Sequence, residues 1–175
     1  ASSYSFDFGP GAHIVLDKDV IEGENVWSIE AWVNFHQKPT GAAGQPLFFL
    51  VDQGNLFVFN FMPSADKFRI ILNDAIVLEA SANEVFDVNF HHFYLEGNGN
   101  KIALYIDGTN RAETDYTGNF PHTSVYNMTI GHNLDASMDE IRMRKKSGFP
   151  GVPTARYNAE EGTVLLFQFD DQSTT

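Results

Sequence analysis

The chain has 175 residues, with 23 acidic against 11 basic side chains and a formal net charge of −12. A field of that sign repels phosphate backbones and anionic bilayers, which argues against nucleic-acid binding and membrane-surface attachment. Cysteine is absent, so disulfides, thiolate metal sites and a cysteine nucleophile are excluded. At 43% hydrophobic content the chain has enough apolar matter for a core that needs no covalent staples. No apolar run approaches the ~20 residues of a membrane-spanning helix. Ala1-Ser2-Ser3-Tyr4 lacks the charged and apolar regions of a signal peptide, so a leader already removed, or a domain of a longer protein, is expected.

Phe supplies 16 residues, and Phe with the β-branched residues favours strands. In chain order, period-2 patterns broken by turn residues predict them one after another. Tyr4 to Phe8 is the first; Gly9-Pro10-Gly11 breaks it, and Ala12 to Leu16 resumes. Trp27 to Phe35 is the clearest, with Ile29, Ala31, Val33 and Phe35 on one face and Ser28, Glu30, Trp32 and Asn34 on the other. Residues 37–46 read as loop. Leu47 to Val51 and Leu56 to Phe61 form a hairpin around Asp52-Gln53-Gly54-Asn55, and Lys67 to Leu72 and Ala75 to Ala80 another around Asn73-Asp74. Phe90 to Glu96 and Lys101 to Asp107 flank Gly97-Asn98-Gly99-Asn100. Asp107-Gly108 is a type I′ turn signal leading into Arg111 to Tyr116.

Val125 to Gly131, Ser137 to Arg144 and Thr163 to Phe169 complete the set. Asn83 to Val88 and Thr154 to Glu161 have room for a helical turn, and Lys145 to Pro153 reads as a long exposed loop. Many short strands without crossover helices specify an all-β, two-sheet antiparallel sandwich or a barrel. No repeat or linker interrupts residues 1–175, so a single domain is expected.

Five segments together resemble the laminin G-like group of the concanavalin A-like lectin/glucanase superfamily. They are Ser5-Phe6-Asp7-Phe8-Gly9 with Ala12 to Leu16, Trp27-Ser28-Ile29-Glu30-Ala31-Trp32-Val33, Phe90-His91-His92-Phe93, Ile102 to Gly108, and Thr129-Ile130-Gly131 with Met138-Asp139-Glu140-Ile141-Arg142. The tail Thr163 to Asp170 is similar to the strand that follows such domains in bacterial and phage-type proteins. The resemblance implies a jelly roll with a concave front sheet and no particular function. It also implies a structural Ca²⁺ held by Asp139, with carbonyls around Gly9 and Gly23 as companions, since calcium takes hard oxygen ligands. By simple alternation Asp139 and Ile141 share one face and Glu140 and Arg142 the other, so Asp139 and Glu140 do not point at one site.

Sugar recognition needs aromatic faces and planar polar groups on a rigid frame. Trp32, Tyr94, Tyr105 and Tyr116, with Asn34, His92 and Glu96, have that chemistry, as do Phe120 and His122 in the Gly118–His122 stretch and the loop Gln37 to Gln45. The alternating carboxylate pair of glycosidases of this fold is absent, as are nucleophile-elbow, phosphate-loop and dinucleotide motifs. The His residues show no paired metal spacing, and His91 and His92 face opposite sides. The expectation is a non-catalytic glycan-binding or adhesion module with a structural calcium, acting outside the cell or on a virion within a larger assembly. A structural module contacting a neighbouring chain is the alternative, and a hydrolase or lyase of the same fold a third reading.

Overall fold

The computed structural model describes residues 5–169; the predicted strand residue Tyr4 and tail residue Asp170 lie outside them. Thirteen strands form: β1 (Phe6–Phe8), β2 (Ile14–Val15), β3 (Trp27–Phe35), β4 (Gln45–Val51), β5 (Asn55–Met62), β6 (Lys67–Leu72), β7 (Ala75–Ser81), β8 (His91–Gly97), β9 (Lys101–Ile106), β10 (Thr109–Asp115), β11 (Thr129–Ile130), β12 (Ala136–Arg144) and β13 (Thr163–Phe167). They build a seven-stranded sheet, ordered β1-β12-β3-β8-β9-β10 with β13 also on β12, and a six-stranded sheet, ordered β2-β11-β4-β5-β6-β7. All pairings are antiparallel, as the expected jelly-roll sandwich requires. No helix forms among the described residues, so the two stretches read as helical turns are turns and irregular chain.

The hairpins follow the turn chemistry. Asn73 and Asp74 (φ 49° and 64°) and Asp107 and Gly108 (φ 50° and 85°) both take the left-handed conformation that a two-residue type I′ loop demands. The core is a sheet of rings between the layers. Phe68 meets Phe35, Phe59, Phe61 and Phe93 at centroid distances of 5.2–6.1 Å, and Trp27 stands edge-on to Phe120 at 4.9 Å. Ile29, Ala31, Val33 and Phe35 face this core, as their alternation predicts.

Of the several register shifts in the two sheets, the one on β12 matters for the site. On β12, Asp139 pairs with Trp32 but Arg142 pairs with Glu30, so β12 carries one residue more than β3 between these pairs. Glu140 takes the strain with a φ of 51°. This bulge puts Asp139 and Arg142 on the outer face together and returns Ile141 to the core, correcting the faces expected from simple alternation. The bulge also divides β12's other edge. β1 pairs with Ala136 to Met138 and β13 with Ile141 to Arg144.

Candidate functional site

The outer face of the seven-stranded sheet carries Ser28, Glu30, Trp32 and Asn34 from β3, His92, Tyr94 and Glu96 from β8, Tyr105 from β9, and Arg142 and Arg144 from β12. It is not an open groove. Residues 145–162 fold back across it as a strap; residues 145–153 are the loop with exposed side chains that was expected, and the same loop also covers the sheet. Lys145 N donates to Gly162 O at 2.8 Å and closes the strap at its base. Gly148 N donates to Glu96 Oε2 at 2.6 Å, and Phe149 stacks on Tyr105 with centroids 4.4 Å apart. The Tyr157 hydroxyl lies 2.8 Å from His92 Nε2, and Glu160 accepts from Arg144 Nη1 at 2.5 Å.

Beneath the strap lies a buried ionic cluster. Glu30 is 1% exposed and accepts from Arg142 Nε at 2.6 Å, with His92 Nε2 at 3.1 Å. Burial by itself would raise the Glu30 pKa, but the His92 hydrogen bond and the Arg142 charge outweigh it and hold the carboxyl below its usual value. The Arg142 guanidinium sits 4.3 Å from the Tyr157 ring centroid, so strap and cluster lock one another.

Where the strap arches away from β3 it leaves a cavity of about 690 Å³, the size of a small-molecule pocket. Trp32, Asn89, Phe90, Asp139 and Glu140 line it on the sheet side, and Pro153, Thr154, Ala155 and Arg156 line it from the strap. The bulge is what turns both carboxylates toward it. Arg156 Nε donates to Glu140 Oε1 at 2.8 Å, while Tyr157 N at 3.0 Å and Gln168 Nε2 at 2.9 Å donate to Glu140 Oε2. Asp139 Oδ1 accepts from Glu140 N at 2.8 Å and Phe169 N at 3.3 Å. Burial pushes the Asp139 pKa up, and the neighbouring Glu140 charge adds to the rise.

The residues singled out from the sequence divide sharply. Trp32 and Asp139 line the cavity. Asn34, at the edge of the same face, donates to Val88 O at 3.1 Å. His92 and Tyr94 are fully buried under the strap, and Tyr105 lies beneath Phe149. Phe120 is a core residue, 1% exposed and 4.7 Å from Phe57. His122 is exposed and bonds Asp19 at 2.8 Å, in the loop that follows Phe120. Asn89, Phe90, Glu140 and Arg156 were not foreseen in the site. Period-2 reasoning cannot detect a bulge, and Arg156 comes from a stretch read as a helical turn.

The expected calcium ligands do not fit as a set. Phe8 pairs with Ala136, so Gly9 lies beyond the end of β1 directed away from Asp139, and its carbonyl accepts from Ala12 N at 3.0 Å. Gly23 belongs to the chain beside Phe120, whose carbonyl accepts from Gly23 N at 2.8 Å. Asp139 Oδ1 and both Glu140 oxygens already accept N–H bonds, which reduces the oxygen lone pairs they can offer a cation. Among the described residues no group of three or more His, Cys, Asp or Glu could hold a metal ion.

Known proteins bear the architecture out. The chain spans 52% of a Bacteroides ovatus protein provisionally assigned as carbohydrate binding, which covers 98% of it at 15% identity with a TM-score of 0.64. It spans 28% of a leech intramolecular trans-sialidase complexed with 2,7-anhydro-Neu5Ac, covering 88% of this chain at 15% identity and a TM-score of 0.66. It spans 40% of the binding domain of botulinum neurotoxin DC in complex with SialylT, covering 84% of this chain at 11% identity and a TM-score of 0.59. At such identities these likenesses concern the fold alone. No curated protein sequence matches significantly. Residues 8–147 match the Laminin_G_3 family model, and the chain therefore belongs to that family of the Concanavalin A-like lectin/glucanases superfamily.

Proposed function

We propose that this domain is a non-catalytic glycan-binding module whose sugar site is the cavity between Trp32 and the strap. The observation that carries the reading is the pairing, in one pocket, of the half-buried Trp32 and Phe90 rings with Asn89, Asp139, Glu140 and Arg156. A pyranose ring has an apolar face that stacks on indole, and hydroxyls that bond planar amides, carboxylates and guanidinium. The fold likeness to a protein assigned to carbohydrate binding, and to one in complex with SialylT, supports the same direction.

Catalysis is disfavoured by the carboxylates themselves. Asp139 and Glu140 are neighbours on one strand, and Arg156, Tyr157 N and Gln168 occupy both Glu140 oxygens. The two-carboxyl glycosidase mechanism needs carboxyls flanking the scissile bond, ~5 Å or more apart, with one left to attack or to activate water. A surface or extracellular setting, and membership of a larger protein, go with this reading. Assembly through the outer face of the seven-stranded sheet is disfavoured because the strap already occupies it.

A glycan array followed by calorimetry on the best hit tests the proposal. Trp32→Ala should weaken binding by at least about tenfold, or ~1.4 kcal/mol, with the fold intact by circular dichroism. EDTA should leave both affinity and melting temperature unchanged, because no calcium is invoked at Asp139. An array without hits, or Trp32→Ala binding as tightly as the parent, removes the lectin reading.

A further inference from the structure

The Trp32 cavity holds a charge that its own lining does not balance. Asp139, Glu140 and Arg156 are the charged residues there, two acidic against one basic. Arg156 Nε already donates to Glu140 Oε1 at 2.8 Å, and Arg142, on the same face of β12, is held by Glu30 at 2.5 Å. Among the described residues no basic side chain forms an ion pair with Asp139. Asp139 is 5% exposed, and the two N–H groups that it accepts, from Glu140 and Phe169, are both on Oδ1. Oδ2 has no partner among the described residues, and the side chain lines the cavity. A carboxylate buried this far is costly until a donor or a cation reaches its open oxygen. The upward push of burial on its pKa is the mark of that missing compensation.

Trp32 stands directly across from this carboxylate in the β3–β12 ladder. Residues so paired have their Cβ atoms about 5 Å apart. An aromatic face beside a carboxylate suits an ammonium group, which meets the ring's quadrupole on one side and donates charge-assisted hydrogen bonds on the other. Calcium needs about six oxygen ligands, whereas an ammonium needs one open carboxylate oxygen and a ring. We infer, on the glycan reading above, that the sugar taken by this cavity is an amino sugar with a free amine, its ammonium seated between Asp139 and the Trp32 ring. Acetylating that amine removes the charge and leaves a single N–H donor. An acidic or sulfated sugar sets a like charge against the buried Asp139 and is rejected on the same ground. Asn89 and Thr154 remain for the hydroxyls, and Phe90 extends the apolar wall.

Three β-linked disaccharides that differ only in the group on C2 test this: the dimers of glucosamine, N-acetylglucosamine and glucose. Each is titrated in mildly acidic buffer, where the amine is protonated, and followed by the indole N–H of Trp32 in two-dimensional NMR. Trp27, the other tryptophan, is 1% exposed in the core and serves as the internal reference. The glucosamine dimer should bind at least about tenfold tighter than either of the others. Asp139→Asn keeps the side-chain shape and should reduce that preference to about twofold or less. Asp17→Asn removes an exposed carboxylate outside the cavity and should retain the preference in full. Circular dichroism checks both folds, and the comparison of the three dimers on the parent protein stands without either variant. Equal binding of the three dimers overturns the amine inference and leaves the glycan reading standing, as do array hits confined to acidic sugars. A preference that survives Asp139→Asn places the amine elsewhere and overturns it too. No Trp32 shift with any dimer also overturns it, and the array then decides whether the glycan reading falls as well.

Discussion

Phe149 lies flat on Tyr105, ring centroids 4.4 Å apart and planes 17° from parallel. The same ring packs 5.1 Å from Tyr94, so one strap side chain rests on two aromatic residues of the sheet. Phe149→Ala should cost about 1–2 kcal/mol, less than a full core truncation because Phe149 is only half-buried. Its clearer signature is local. Amide hydrogen exchange in residues 145–157 should accelerate while the β3–β8 ladder stays protected. Uniform acceleration would mean that the strap is an integral part of the folding unit rather than a cover laid over it.

Glu30 is the anion beneath that cover, with Arg142 and His92 directly on it and Arg144 Nε 3.9 Å away. Glu30→Ala leaves Arg142 and Arg144 in a dry site with only the half-exposed Glu160 as counter-charge, and should destabilise by about 3 kcal/mol. Glu30→Gln keeps the shape and one acceptor and should cost less. Urea denaturation of both variants checks the order; equal losses would show that packing rather than charge governs the cluster.

His91 bridges two carboxylates, with Asp107 Oδ2 at 2.5 Å from Nδ1 and Asp87 Oδ1 at 2.7 Å from Nε2. Burial by itself would lower the His91 pKa, but the Asp107 and Asp87 hydrogen bonds outweigh it and raise it above the ordinary 6.5. A raised folded-state pKa stabilises fully below the unfolded value, and that contribution disappears as pH climbs through the folded value. Stability should therefore decline above about pH 6.5. Asp87 is held down to about 2 by the His91 hydrogen bond, so its contribution is present above 3.8 and lost as pH falls toward 2. Melting temperature against pH should show both losses. His91→Gln should flatten the upper one, and an unchanged profile in that variant would assign the decline to other groups.

Gly131 combines a φ of 74° with a Cα whose missing Cβ would fall on the Phe8 ring. Gly131→Ala should cost about 2–4 kcal/mol, from left-handed strain and from displacing a core ring together. Gly148→Ala has a comparable positive φ of 99° but open space at its Cβ, and should cost only about 1 kcal/mol. Chemical denaturation of the pair separates the two contributions.

Most of the sandwich was legible because the core strands obey the two-residue period. Ile29 to Phe35, Phe93 with Leu95, and Ile102 to Ile106 all sit on the face their spacing predicts. The turns at Asn73-Asp74 and Asp107-Gly108 were equally plain, since few residue pairs accept positive φ twice. The site was only half legible. Trp32 was identified by residue chemistry and Asp139 only through the family resemblance, as a calcium ligand, but the extra residue at Glu140 shifts β12's register without any mark in the composition. Gly148-Phe149-Pro150-Gly151 reads as loop, and nothing in its pattern reveals that Phe149 will cover a tyrosine across the sheet. Long-range burial of this kind depends on where the chain returns, which short-range periodicity does not encode.

β13 ends opposite Ile141, and β1 begins opposite Met138, both running antiparallel to β12. The rings of Phe6 and Phe169 are 5.6 Å apart across the junction. The last strand thus leads head to tail into the first along a single edge, interrupted only at the bulge. A circularly permuted gene, opened at the exposed Asn73-Asp74 hairpin and with Phe169 joined to Ser5 by a designed linker, would make β13 and β1 covalent neighbours on that edge. It would then reveal whether the seam is held by its side chains or merely tolerated by the sheet.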